Sequence, residues 1–114
     1  MFDFEKLTVY SKAKAFNKKV HRFLQNTNLD RTTNSQLRRA ALSIMLNIAE
    51  GSGRYTKRDK RHFYIISRGS TFECVAVFDY LKDLSALKET EFNEFYADLD
   101  ELSRMLFSMI QKLS

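Results

Sequence analysis

Apolar residues along this chain recur at spacings of three and four, the period of one face of an α-helix. Val9, Ala13, Phe16, Val20 and Phe23 form the first such seam and predict a helix from about Phe4 to Leu24. The segment from Asn26 to Ser35 is rich in Asn, Thr and Asp and reads as a loop. Leu37, Ala41, Ile44 and Ile48 then predict a second helix from about Gln36 to Glu50, with Asn34 or Ser35 as its N-cap. Gly51 and Gly53 follow and are expected to stop it through a left-handed cap. A third helix begins after Thr56, with Asp59 three residues on as part of a capping box. Its expected seam is Phe63, Ile66, Ser70, Glu73, Val77, Tyr80 or Leu81, and Leu84. A fourth begins at Thr90, with Phe92, Phe95, Leu99, Leu102, Leu106, Ile110 and Leu113 facing inward.

Short connections between amphipathic helices join antiparallel neighbours. The predicted fold is therefore all-α, an antiparallel up-down-up-down four-helix bundle occupying residues 1–114 as a single domain. Zero prolines and three glycines agree with long helices. The chain has 44% hydrophobic residues but no apolar run of membrane-spanning length, so no membrane partner is expected. The start, Met1-Phe2-Asp3-Phe4-Glu5, lacks a basic-then-apolar leader, and the one cysteine, Cys74, suits a reducing compartment; the expected location is cytoplasmic.

Charge changes the picture more than composition does. The net charge of +5 conceals two opposed parts. Residues 1–68 carry 15 Lys/Arg against 5 Asp/Glu, and residues 69–114 carry 4 against 9. The basic part suits phosphate or an acidic protein surface; equally, the acidic last helix suits the basic first helix, inside the fold or across a subunit contact. Lys14, Lys18 and Arg22 line one face of the first helix, where like charges repel. Such a row calls for an acidic neighbour or a solvated face.

The densest basic cluster is Arg54, Lys57, Arg58, Lys60 and Arg61, with Tyr55 interleaved. It feeds a helix N-terminus, whose free N–H groups also suit phosphate oxygens, so these five residues are the candidate nucleic-acid contacts. A second candidate set is polar. Arg39, Asn47 and Glu50 interrupt the second helix, and Arg68, Ser70 and Glu73 stand on the third. Facing one another, Arg39, Asn47, Glu50, Arg68 and Glu73 would form a polar network that fixes register and assembly. Catalysis needs a placed acid, base or nucleophile in a cleft, which nothing here supplies, so no enzyme is expected. No metal site and no cofactor is expected either: Asp59 and His62 are two ligands at most, and phosphate-binding and dinucleotide motifs are absent. Gly69, flanked by Ser67 and Ser70, reads as a small-residue strip where another helix approaches closely. Phe2, Phe72, Phe78 and Phe107 fall off the main seams and suggest a second apolar face, as in an oligomer.

The stretch Gln36 to Arg54, reading QLRRAALSIMLNIAEGSGR, resembles the signature of the 23S rRNA intervening-sequence protein family. The matching residues are Arg39, Ala40, Ala41, Ser43, Ile44, Asn47, Ile48, Ala49, Glu50, Gly51 and Arg54, and a second matching segment runs from Phe63 to Glu73. The family often has a proline between its first two helices, and this chain has none there. The resemblance implies the four-helix bundle and a ring-like homo-oligomer, expected to be a pentamer. It also implies an association with ribosomal RNA through gene location. The fold is similar to the accessory protein of diversity-generating retroelements, a basic ring-forming bundle that engages a reverse transcriptase. The expected function is a non-enzymatic, self-assembling bundle that contacts structured RNA or a nucleoprotein, with DNA as a related ligand. The alternative is a homo-oligomeric adaptor engaging a nucleic-acid enzyme such as a reverse transcriptase.

Overall fold

The four amphipathic segments form four helices in the computed structural model, which describes residues 1–114. A short 3-10 turn, Asp3–Lys6, precedes α1 (Thr8–Gln25), followed by α2 (Arg31–Ser52), α3 (Lys57–Asp83) and α4 (Glu89–Lys112). At 1.5 Å per residue these helices are about 27–40 Å long, so they run along the 44 Å axis of the molecule. Each packs on its neighbours in sequence and α4 closes against α1, while the diagonal α1–α3 pair meets only deep in the core, where the Phe23 and Phe78 rings stand 6.0 Å apart. That arrangement is the up-down-up-down bundle, with no strand.

The predicted seams of α1, α2 and α4 lie in the core. Val9, Ala13, Phe16, Val20 and Phe23 are buried, as are Leu37, Ala41, Ile44 and Ile48. Phe95, Leu99, Leu102, Leu106 and Ile110 complete the core from α4, while Phe92 and Leu113 pack at its margin. Of the four off-seam phenylalanines, Phe78 is buried; Phe2, Phe72 and Phe107 are exposed.

Three local expectations are corrected. First, α2 begins at Arg31, not Gln36. The Asp30 side chain accepts from the Thr33 N–H at 3.0 Å and caps the helix, so half of the expected loop is helical. Bonding to Thr33 holds the Asp30 carboxyl below the usual carboxylate range. Second, α2 continues through Gly51 to Ser52, and no glycine has a positive φ. The last turn is tightened instead by i→i+3 bonds, Gly53 N–H to Glu50 O and Arg54 N–H to Gly51 O. The left-handed position lies at the end of α3, where Ser85 has φ 57°. There Ala86 N–H donates to Leu81 O and Ser85 N–H to Lys82 O, the two bonds of a Schellman motif.

Third, α3 is rotated by about one residue from the expected seam. Its buried side chains are Tyr64, Ser67, Ser70, Thr71, Cys74, Phe78 and Leu81. Small hydroxyl residues can line a core when their O–H groups are satisfied. Ser67 Oγ donates to Ile44 O at 2.7 Å, Ser70 Oγ to Ser43 Oγ at 2.8 Å, and Thr71 Oγ1 to Arg68 O at 2.6 Å. Ser67 and Ser70 let α2 and α3 approach closely, but Gly69 lies on the outer face with nothing near it. Thr56 caps α3 by accepting from the Asp59 N–H at 3.0 Å, the half of the capping box that forms.

Gly51 is the glycine that close packing requires. A methyl group there would lie 2.8 Å from Tyr64 Cε1 and 3.1 Å from Phe63 Cβ, whereas one at Gly69 would meet no atom within 4 Å. Gly51→Ala should lose about 1 kcal/mol net, because overpacking outweighs the helix-propensity gain. Gly69→Ala should gain about 0.5–1 kcal/mol of chain stability from propensity alone. Paired urea melts check this; two shifts of the same sign would refute it.

Candidate nucleic-acid interface

The opposed charges meet first inside the fold. Lys12 Nζ lies 3.2 Å from Glu101, and Lys19 Nζ lies 2.9 Å from both Glu94 and Asp98. These pairs tie α1 to α4. The hydrogen bond to Asp98, then that to Glu94, raises the Lys19 pKa above its ordinary value. The Lys14, Lys18 and Arg22 row borders α2 and forms no ion pair, although Arg22 also lines a depression with Glu91 and Glu94 of α4, and Lys14 and Lys18 line one with Glu5.

The five candidate cations at the α2–α3 turn are not equally free. Arg54 Nη2 bonds to Glu50 Oε1 at 2.6 Å, and its guanidinium stands 4.5 Å from the Phe63 ring centroid. Lys60 Nζ donates to Ser52 O at 2.9 Å. Arg61 is half-buried, and its Nε is shielded from solvent with no partner. Lys57 and Arg58 are exposed and unpaired. The turn therefore offers two free cations, with three more held against the bundle end.

The expected charged network does not assemble within one chain. Arg39, Glu50 and Glu73 are exposed, and Glu50 pairs only with Arg54. Arg68 donates from Nε to Ser103 O at 3.2 Å and covers the Phe72 and Phe107 rings at 5.0 and 5.2 Å. Asn47 donates to Ser43 O and Ser43 Oγ on its own helix. For Glu73 the cause is the rotation of α3: one residue is about 100° of helix, which carries position 73 outward. The interhelical polar bonds use other residues, missed in the sequence. Besides Ser67 and Ser70, Asn17 Nδ2 bridges α1 and α2 by donating to Ala13 O and Ala41 O at 2.9 and 2.8 Å. Asn17 stands next to seam residue Phe16 and could have been read as an interface amide from that position.

Cys74 is fully buried, and burial first, then the charge of Glu73, pushes its thiol up to about 12. A thiol held neutral in a core is not a nucleophile. No group of three or more His, Cys, Asp or Glu side chains could hold a metal ion. No helix is long and apolar enough to cross a membrane.

A basic, strand-free four-helix bundle with free cations on α1, α2 and the α2–α3 turn is thus the class of protein the fold and surface define. The family model described as 23S rRNA-intervening sequence protein matches residues 5–108, and the chain belongs to that family. Among solved structures it is similar to a protein of unknown function from the S23 ribosomal protein family of Bacteroides thetaiotaomicron. That likeness has a TM-score of 0.85 at 21% identity and covers 90% of this chain and 98% of the other. At that identity it speaks for the fold alone. No curated protein matches the chain.

Proposed function

We propose that this protein is a non-enzymatic, self-assembling bundle that binds the phosphate backbone of structured RNA, or a nucleoprotein containing it. One observation carries the reading. Of the many cations in residues 1–68, only Lys12, Lys19 and Arg54 form ion pairs within the chain. A surface of unneutralised cations attracts nucleic acid with little regard to sequence. Self-assembly is supported by exposed apolar side chains on α2 and α3: Leu46, Ile66 and Tyr80. A ring, with five copies as the family resemblance implies, would repeat the basic surface and raise avidity without new contacts.

Fluorescence anisotropy with a labelled RNA hairpin across a salt series tests the binding. The expected result is an affinity that falls steeply and log-linearly with salt; about four neutralised phosphates on a duplex give a slope near −3.6. Absence of binding at roughly 50 mM salt would reject the reading. Light scattering tests assembly, and a monomer at tens of micromolar would reject it. The second reading, a homo-oligomeric adaptor for a nucleic-acid enzyme such as a reverse transcriptase, is favoured by a different surface. Phe72 and Tyr96 on α3 and α4 are exposed aromatics that share a depression with Asp79 and Asp100, a composition suited to a protein partner.

A further inference from the structure

The largest depression on the molecule is an open groove of about 900 Å³ between α1 and α2. Its α1 wall carries Lys14, Lys18 and Arg22, and its α2 wall carries Arg31, Arg38 and Arg39. No Asp or Glu lines it, and none of these six side chains forms an ion pair within the chain. Each row spans nine residues, a rise of about 12 Å, so the two walls match in length. Like charges four residues apart on a helix, as at Lys14, Lys18 and Arg22, cost a few tenths of a kcal/mol per pair. Facing the two rows across a groove adds repulsion between the walls. That repulsion is relieved when an anion of matching length lies between them.

We infer that this groove is the phosphate-binding site, and that its ligand is one phosphodiester strand of a nucleic acid. The inference rests on the nucleic-acid reading above and moves its centre from the α2–α3 turn to the α1–α2 groove. Packed helix axes stand about 8–10 Å apart, so the two rows run as neighbouring ridges along which one backbone can lie. The arginines add forked donors suited to phosphate oxygens. Asn17, Asn34 and Ser35 add neutral polar groups along the floor. His21 is the single aromatic ring in the lining, so the groove has no platform of the kind that stacks successive bases. Recognition is therefore of backbone, not sequence.

An acidic protein segment also fits the charge, and arginine and methionine are residue types that protein interfaces favour; the two lysines and the lack of a Phe, Tyr or Trp anchor in the lining count against it. The acidic α4 of a second copy is a weaker match, because Glu94, Asp98 and Glu101 already pair with Lys12 and Lys19 and Asp100 with Arg104, which leaves Glu89 and Glu91 as its acids without an ion pair.

The test compares charge reversal in the groove, Lys18→Glu/Arg22→Glu/Arg38→Glu, with charge reversal at the turn, Lys57→Glu/Arg58→Glu. The probes are a short unstructured oligoribonucleotide and the same sequence in DNA, followed by anisotropy. The groove variant should bind at least about 30-fold more weakly at roughly 50 mM salt, with a salt slope flatter by about 2. The turn variant should stay within about 5-fold of wild type, and RNA and DNA should bind alike. Neutral glutamine substitutions at the three groove positions should produce a smaller loss in the same direction, with unchanged circular dichroism. If wild type binds and the groove variant binds equally well, the groove is not the site. If only RNA binds, sugar hydroxyls are read and the backbone-only assignment fails. If the groove variant loses self-association but keeps RNA affinity, the groove meets a second copy and the assignment fails. If wild type binds neither probe nor the hairpin, the nucleic-acid reading itself falls.

Discussion

Phe95→Ala should cost about 3–5 kcal/mol of unfolding free energy, a large part of the roughly 5–15 kcal/mol available to a domain of this kind. The Phe95 ring stacks on Phe78 at 4.3 Å with an interplanar angle of 12°. It also meets Phe23 at 5.6 Å and Phe16 at 6.1 Å edge-on. One side chain thus joins α4 to both α3 and α1. The α1–α4 contact is the thinnest of the four interfaces between adjacent helices, so little else there can close around the void. The melting temperature should fall by roughly 10–20 °C. Phe107→Ala on the same helix is the control: its ring is half-exposed beneath the Arg68 guanidinium, and its loss should cost less than about 1 kcal/mol. Urea melts followed by circular dichroism measure both. Equal costs for the two substitutions would show that the phenylalanine cluster does not organise the bundle.

Phe95 was legible in the sequence, and the contrast with α3 shows why. In α1 and α4 the inward positions hold Phe, Leu, Val and Ile, so size and hydrophobicity both mark the seam. In α3 the two signals separate. The inward face holds Ser67, Ser70, Thr71 and Cys74, while Ile65, Ile66, Phe72 and Tyr80 point outward. A pattern that equates apolar with buried must choose the wrong face there. The hydroxyls are tolerated because each bonds to a backbone or side-chain oxygen; for Ser67 and Ser70 that oxygen lies on α2, a condition only the folded helix pair supplies. If α2 and α3 form the assembly surface, the outward apolar residues are buried too, one level of organisation later. The start of α2 was hidden differently: Asp30 sits among loop-forming residues and is a cap only because Thr33 folds back to it.

The candidate site followed the same division. The cluster at the α2–α3 turn is contiguous in sequence and easy to see, but sequence does not show that Arg54, Lys60 and Arg61 are held by the bundle end. The groove cations lie in two separate runs, 14–22 and 31–39, and become one surface only when α1 and α2 pair. The periodicity of the α1 row was visible, whereas Arg31 lay in the expected loop; the juxtaposition of the two runs was a consequence of topology.

Raising the pH above 9 should destabilise this protein, with Cys74 as the largest single cause. Its thiol is fully buried and pushed up to about 12 by burial and by the charge of Glu73, against an ordinary value near 9. Below pH 9 the thiol is neutral in both folded and unfolded chains and contributes no slope. Between about 9 and 12 the unfolded chain releases its proton while the folded chain keeps it, so unfolding is progressively favoured. The full difference is on the order of 4 kcal/mol, reached only as the pH passes the folded value. Tyr64 is raised by burial, and Lys19 by its hydrogen bonds to Asp98 and Glu94; both act with the same sign. Cys74→Ala isolates the thiol. At neutral pH it should cost about 1 kcal/mol for the vacated sulfur volume. Above pH 9 its stability should decline less steeply than wild type, so the two curves converge, and the remaining slope belongs to Tyr64 and Lys19. Urea midpoints from about pH 7 to about pH 11 measure this. Parallel curves would mean that the thiol ionises as easily folded as unfolded, which a fully enclosed sulfur does not allow.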